Sequence, residues 1–357
     1  MKKRILWIDS IRFFACFIVA WSHFSAFFNI DFIQTYMNES AAVKFIMFGI
    51  DNGTMATVVF FVLAGYFASV KAGKSGSFMQ YTIARYMQLM VGVLLAEIIV
   101  FGFAFGADVF SLRNTGDIPN EWLLPDMLQF SVFKSMTLKL VQDVIFFQSH
   151  LIGTFWCIQP LFIGSLLCFI LERLQVRLIG VFLIFGIFFI ASPNIYSIAI
   201  IAGLMLHRFL AYEEKHQKLQ KVLKHPLTLT LLLVLTVLFY QDLHGAKSQI
   251  KILCYTISAV CFLLFCFHCS FAQKLLSNKY LARGGKICFG VYLLHYPVYG
   301  TIIYLIYPFF EKMGVFCGNL LVTILYYLLT FALAWICTKT VDWVVCRVNQ
   351  KYKELYR

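Results

Sequence analysis

The sequence predicts an all-α integral membrane protein, a bundle of about ten transmembrane helices with both termini cytoplasmic. Three observations carry this. Of the 357 residues, 61% are hydrophobic and only 13% are charged, far more apolar than a soluble domain. The apolar residues fall in runs of about 20, the length at which a helix crosses a bilayer and too long for barrel strands. Lys and Arg collect in the short segments between the runs, and on the cytoplasmic side by the positive-inside rule. A net charge of +13 is therefore topological and does not point to nucleic acid. The initial MKKR resembles the start of a signal peptide. The apolar run behind it carries Arg12 and His23 and has no small-residue cleavage site, so it is expected to stay as the first span.

The expected spans, in order, are Ile11–Phe28, Met55–Val70, Ile83–Phe105, Leu151–Leu171, Leu178–Ser192, Tyr196–Leu210, Leu227–Leu243, Ile252–Phe271, Ile287–Tyr307 and Cys317–Val341. The fifth and sixth are short for a full crossing. With the N-terminus inside, 22 of the 30 Lys and Arg fall in inner segments and 7 in outer ones, Arg12 lying within the first span. Residues 1–357 read as a single transmembrane domain with no internal repeat. It carries a long outer loop at 106–150 and a charged inner loop at 207–226. Within the outer loop, the moderately apolar Met127–Phe147 suits a helix lying in the membrane interface. The inner loop, HRFLAYEEKHQKLQKVLKHP, suits a solvated extension of the sixth span. The eleven cysteines lie mostly in apolar runs, without a CxxC near a metal-like cluster. They read as small packing residues, and no metal is expected.

The first span carries the chemistry. It reads DSIRFFACFIVAWSHFSAFF from Asp9 to Phe28, apolar except for Asp9, Arg12 and His23. Arg12 and His23 are eleven residues apart, so a helix puts them on nearly one face, about 16 Å apart along its axis. Asp9 is one turn before Arg12, in pairing range. Ionisable groups inside a span are costly and mark functional sites by default. The alternative is a snorkelling Arg12 and a hydrogen-bonded core His23. An arginine near the inner surface suits a phosphate arriving from the cytoplasm. A deeper histidine suits proton transfer. Together they suit a long anionic ligand with its head inside and a reactive tail in the membrane.

This pattern, an Arg and a His eleven residues apart with an Asp before them, resembles the first-span motif of the membrane-bound acyltransferase 3 family. Three further stretches resemble the family's segments in order: VVFFVLAGYFAS, with Ala64 where Ser is usual; LIGTFWCIQPLF around Trp156; and CFGVYLLHYPVYG, with Tyr292, His295 and Pro297. The resemblance runs over essentially the whole chain. It implies transfer of an acetyl or other acyl group from acyl-CoA, usually acetyl-CoA, to a hydroxyl of a polysaccharide or lipid-linked glycan outside the cytoplasm. It implies a multi-pass protein of the cell membrane, in a bacterium the cytoplasmic membrane. His23 matches the family's essential histidine and Arg12 its essential arginine. Asp9 is expected to orient Arg12. Arg85 matches the first of an arginine pair entering the third span, with Gln88 in place of the second. The acidic residue that some members carry after the fourth-span Trp is absent, the chain reading Cys157, Ile158, Gln159, Pro160, Leu161.

The remaining polar residues each have two readings. His295, two residues before Pro297, belongs to a pocket or bonds a carbonyl that the proline frees. Glu97, in mid-span, belongs to the site or to a structural pair. Trp156 is a pocket wall or an interfacial anchor. Tyr292 lines the same candidate pocket. Asp51 and Asn52 suit a helix cap, and His150 and His268 suit structural roles. Two other functions use the same charged stripe: a transporter or flippase of an anionic or glycolipid cargo, and a non-catalytic family member acting in glycan assembly. The departures at Ala64, Gln88 and Leu161 bear on the last.

Overall fold

A computed structural model of the chain describes residues 5–28, 52–73, 77–109, 130–191, 195–240 and 247–355. Every described element is helical. The expectations for Asp51 and for most of the outer loop's charged residues, 110–129, lie outside the described residues.

Helix α1 is Leu6–Phe28. Its buried stripe, Ile8, Ile11, Ala15, Val19 and Phe24 among others, recurs every three to five residues, as a helix face packed on protein requires. Helix α2 is Gly53–Ala72; Asn52 caps it, its side-chain oxygen accepting from the Met55 amide at 2.9 Å. Helix α3 is Phe78–Val109 and α4 is Phe130–Phe146, the latter within the stretch expected to form an interfacial helix. A one-turn 3-10 helix, Gly153–Cys157, leads into α5, Ile158–Arg173. Helices α6, Leu178–Ala191, and α7, Ser197–Glu213, come next. The inner loop continues α7 to Glu213, then forms α8, Gln217–Leu223, and turns at Pro226 into α9, Pro226–Tyr240, bent by 60° from α8. Helices α10, Ser248–His268, and α11, Ser270–Leu276, precede α12, Lys279–Val298. Pro297 lies in the last turn of α12, and a π-turn, Tyr299–Ile303, adjoins it directly. A missing N–H relaxed by wider backbone turns is a familiar cause of such breaks. Helices α13, Tyr304–Glu311, and α14, Val315–Leu355, complete the chain.

The expected spans coincide with these helices where they are described, residues 192 and 241–243 lying outside the described residues. Five described helical segments are long and apolar enough to cross a membrane, six if α8 and α9 count as one broken span. That establishes a polytopic helical protein.

The chain clusters into two compact units. The first draws on Met1–Val19, Asn52–Thr82 and Pro160–Lys286. Its tightest contact is α2 on α7. A Cβ on Gly65 would lie 1.8 Å from the Ile200 carbonyl oxygen, and one on Gly203 would lie 2.0 Å from that of Val62. Each glycine admits the other helix's backbone, the small-residue packing common between membrane helices. Gly65 is the glycine of VVFFVLAGYFAS, so that segment's role in this fold is packing. At one end of α5 and α7, Arg208 donates to Glu172 at 2.8 Å and to the carbonyls of Leu171 and Val176.

The second unit draws on Ala20–Asp51, Ile83–Gln159 and Ile287–Arg357. Gly290 lets α12 approach α14, where a Cβ would meet the Ala334 oxygen at 2.6 Å. Phe24 stacks on Tyr326 at 4.4 Å, and the Tyr326 hydroxyl donates to the Ala20 carbonyl at 3.1 Å. These contacts fix the turn of α1 that carries His23.

Candidate active site

Asp9 and Arg12 lie in the first unit. Their Oδ1 and Nη1 are 3.6 Å apart, with Asp9 buried and the Arg12 side chain 30% exposed. A pair so open to solvent adds at most about 1 kcal/mol, so Asp9 acts mainly on the direction of the guanidinium. The first turns of α12 press on this part of α1. A Cβ on Gly285 would lie 2.0 Å from the Asp9 carbonyl oxygen, and one on Gly284 would lie 2.3 Å from the Phe13 ring. The flanking Arg283 and Lys286, both exposed, are thereby brought to the stretch of α1 that holds Arg12. In the sequence they count only as inner positive charge. Their signal is the Gly-Gly pair between two cations, which marks close approach of another backbone.

His23, Tyr292 and His295 come together in the second unit. His295 is fully buried on α12. Its Nδ1 is 2.6 Å from the Tyr292 carbonyl oxygen. A carbonyl only accepts, so Nδ1 carries the proton and Nε2 has the lone pair. The carbonyl that Pro297 leaves without its helical donor is that of Leu293, four residues earlier. The bond goes instead to Tyr292, one turn behind His295 on the same helix. Nε2 is buried and has no hydrogen-bond partner among the described residues. The His23 ring lies 5.3 Å from the His295 ring, centroid to centroid, with 33° between their planes. His23 itself is exposed, so one partner of the pair is reachable and the other is enclosed.

Tyr292 ties this pair to the segment around Trp156. Its hydroxyl donates to the Thr154 carbonyl at 3.0 Å and lies 2.7 Å from the Cys157 sulfur. Thr154 and Cys157 stand on the one-turn helix that also carries Trp156, which is 38% exposed. Cys157 stands where the sequence offered no carboxylate, and its sulfur serves as a hydrogen-bond partner to tyrosine.

Two further groups occupy the second unit. Arg85 donates to Gln88 at 3.0 Å, so the residue replacing the family's second arginine accepts from the first. Glu97 is fully buried. It neighbours the buried Asp143 of α4. Asp143 accepts from the amides of His150 and Leu151, at 3.0 and 2.9 Å, and its Oδ1 is 2.7 Å from the His150 ring Nδ1. This staples the turn after α4, where Phe147 has a positive φ of 54°, and gives His150 a structural partner. Sequence reasoning misses Asp143, because only the folded turn brings it to His150. Among the described residues no group of three or more His, Cys, Asp or Glu is arranged to hold a metal ion.

The family profile described as "Acyltransferase domain" matches residues 5–339. No curated protein and no solved structure matches the chain. The match takes in the Arg12–His23 helix, the Trp156 segment and the Tyr292–His295 segment within one frame, and the chain belongs to the acyltransferase 3 family, whose members transfer acyl groups.

Proposed function

We propose that the protein is an integral membrane O-acyltransferase that moves an acetyl group from cytoplasmic acetyl-CoA to a hydroxyl of a cell-surface polysaccharide or lipid-linked glycan precursor. The observation that carries this reading is the histidine pair. The family's histidine position, His23, is exposed and lies 5.3 Å from the ring of a fully buried second histidine. The family match supports acyl transfer in general.

In this proposal the phosphates of CoA engage Arg12 and Arg85 at the cytoplasmic face, where a guanidinium fork matches phosphate oxygens. The register of α1 puts His23 about 16 Å further along the helix, comparable with the reach of an extended pantetheine arm. His23 takes the proton of the acceptor hydroxyl as that oxygen bonds to the thioester carbonyl carbon. The tetrahedral intermediate breaks its C–S bond, and the leaving CoA sulfur takes the proton from His23. In a two-step variant a neutral His23 nitrogen first displaces CoA to form an acyl-imidazole, and the hydroxyl then displaces the histidine. Both routes need an unprotonated ring nitrogen facing the reactants. Trp156, on the one-turn helix beside Tyr292, supplies an apolar wall for the acyl or sugar group. Glu97 is internal and takes no part in these steps.

The test is acetyl transfer by purified protein to a glycan acceptor, with release of free CoA measured. Wild type should release CoA, and His23→Gln, which hydrogen-bonds but neither takes a proton nor carries an acyl group, should not. A Gln variant within a few-fold of wild type would remove His23 from the chemistry. Wild-type protein that binds no acetyl-CoA, yet moves an anionic glycolipid across vesicles, would replace the enzyme reading with the flippase one.

A further inference from the structure

His295 poses a problem that the proposed reaction does not solve. Its ring is fully enclosed, Nδ1 is committed to the Tyr292 carbonyl, and Nε2 is a buried acceptor without a donor among the described residues. An unmet buried acceptor is costly, so a fold that keeps one has a use for it. Rings of Tyr292 and Tyr299 lie 5.7 and 6.5 Å away. The Tyr292 hydroxyl already donates to Thr154. His23, at 5.3 Å, is nearer than either tyrosine ring. Two imidazoles joined by an N–H···N bond have centroids separated by about two ring radii plus a ~3 Å bond. The observed separation is of that size, so the two rings are close enough for such a bond without backbone movement.

We propose that His295 is the positioning residue of His23: its Nε2 accepts a hydrogen bond from one His23 ring N–H and leaves the other His23 nitrogen unprotonated toward the reactants. A histidine has two neutral tautomers, and only one of them presents the lone pair to a given side. In hydrolytic triads a carboxylate makes this choice. Here a neutral imidazole makes it, with its own tautomer fixed by a backbone carbonyl. When His23 takes the acceptor's proton, both of its nitrogens carry hydrogen, and His295 keeps the one it already holds. No net proton moves to His295. The Tyr292 hydroxyl bonds to Thr154 and Cys157 hold the α12 turn whose carbonyl sets the whole chain of donors.

This inference rests on His23 being the reacting histidine, and its experiment separates the two claims. The full chain, labelled with 15N-histidine in detergent, is compared as wild type, His295→Gln and His295→Leu, with His23 assigned from the signals lost in His23→Gln. Wild type should show His23 in one neutral tautomer. His295→Leu, which fits an apolar interior, should release it to a mixture and lower kcat roughly 100-fold, with KM for acetyl-CoA unchanged. His295→Gln offers an oxygen near the Nε2 position and should restore most of both. An unchanged His23 tautomer in a folded Leu variant overturns the inference, as does a Gln variant with the full Leu defect. If wild type transfers no acyl group, the enzyme reading fails and the tautomer signals still decide the role of His295.

Discussion

Gly285→Ala tests how the donor end of the site is built. The added carbon would lie 2.0 Å from the Asp9 carbonyl oxygen and 2.6 Å from its carbon. Ordinary contact begins near 3.4 Å, so α12 and α1 must part by about 1.4 Å at this point. Backbone faces the methyl, and no rotamer change can absorb it. Overpacking of this kind costs about 1–3 kcal/mol, against a helix-propensity gain of about 1 kcal/mol for Gly→Ala. The net expectation is a loss of up to about 2 kcal/mol, read as a lower melting temperature in detergent. The turn that moves carries Asp9 and Arg12, so acyl-CoA affinity should also fall while kcat at saturation is kept. Gly186→Ala is the control. It lies within α6 with nothing within 4 Å of its Cβ, and the same propensity gain should leave it as stable as wild type or more so. If Gly285→Ala melts and binds acyl-CoA as Gly186→Ala does, α12 does not press on the Asp9 turn and the contact is wrong.

Arg12→Lys should weaken acyl-CoA binding about tenfold by calorimetry with normal expression, since lysine lacks the planar fork; unchanged affinity in a folded Arg12→Ala protein would remove the donor role. Tyr292→Phe takes away the hydroxyl donor to the Thr154 carbonyl and leaves it the weaker Cys157 thiol at 3.7 Å; a lost hydrogen bond costs about 0.5–1.5 kcal/mol, which thermal unfolding should register alongside reduced transfer. Asp143→Asn should loosen the turn after α4, because an amide cannot accept from all three present donors in the same geometry, and limited proteolysis should then cut between Phe147 and Gly153. Cys317 and Cys346 are both exposed and 29 residues apart on α14, about 44 Å of helix. An impermeant maleimide should reach Cys317 from outside and Cys346 from inside, and labelling of both from one side would overturn the topology.

What the sequence makes legible here is periodicity and cost. Each long apolar run is helical where it is described, because a bilayer leaves no other economical backbone. His23 and Arg12 stood out because charge inside a span demands a reason. Asn52 announced its cap through a residue type that competes with the helix it starts. What stayed hidden is long-range pairing. Nothing in LIGTFWCIQPLF says that Thr154 and Cys157 meet a tyrosine more than 130 residues later, and Cys157 reads as one apolar residue among many. Asp143 sat in a stretch read as moderately apolar and suited to the membrane interface, and its three donors exist only once the chain turns at Phe147. Arg283 and Lys286 were lost in a charge tally, since a count carries no position.

The same division bears on whether this chain is a working enzyme. A non-catalytic member should have lost contacts that only the reaction needs. The departure at Ala64 falls next to Gly65, which admits the Ile200 backbone. The departure at Gln88 leaves Arg85 held by a side-chain oxygen at 3.0 Å, a cation kept in place and not abandoned. Tyr292, His295 and His23 retain a connected geometry that packing alone does not require. A buried leucine would fill the place of His295 without leaving an acceptor unmet. The presence of that histidine beside His23 therefore weighs toward activity.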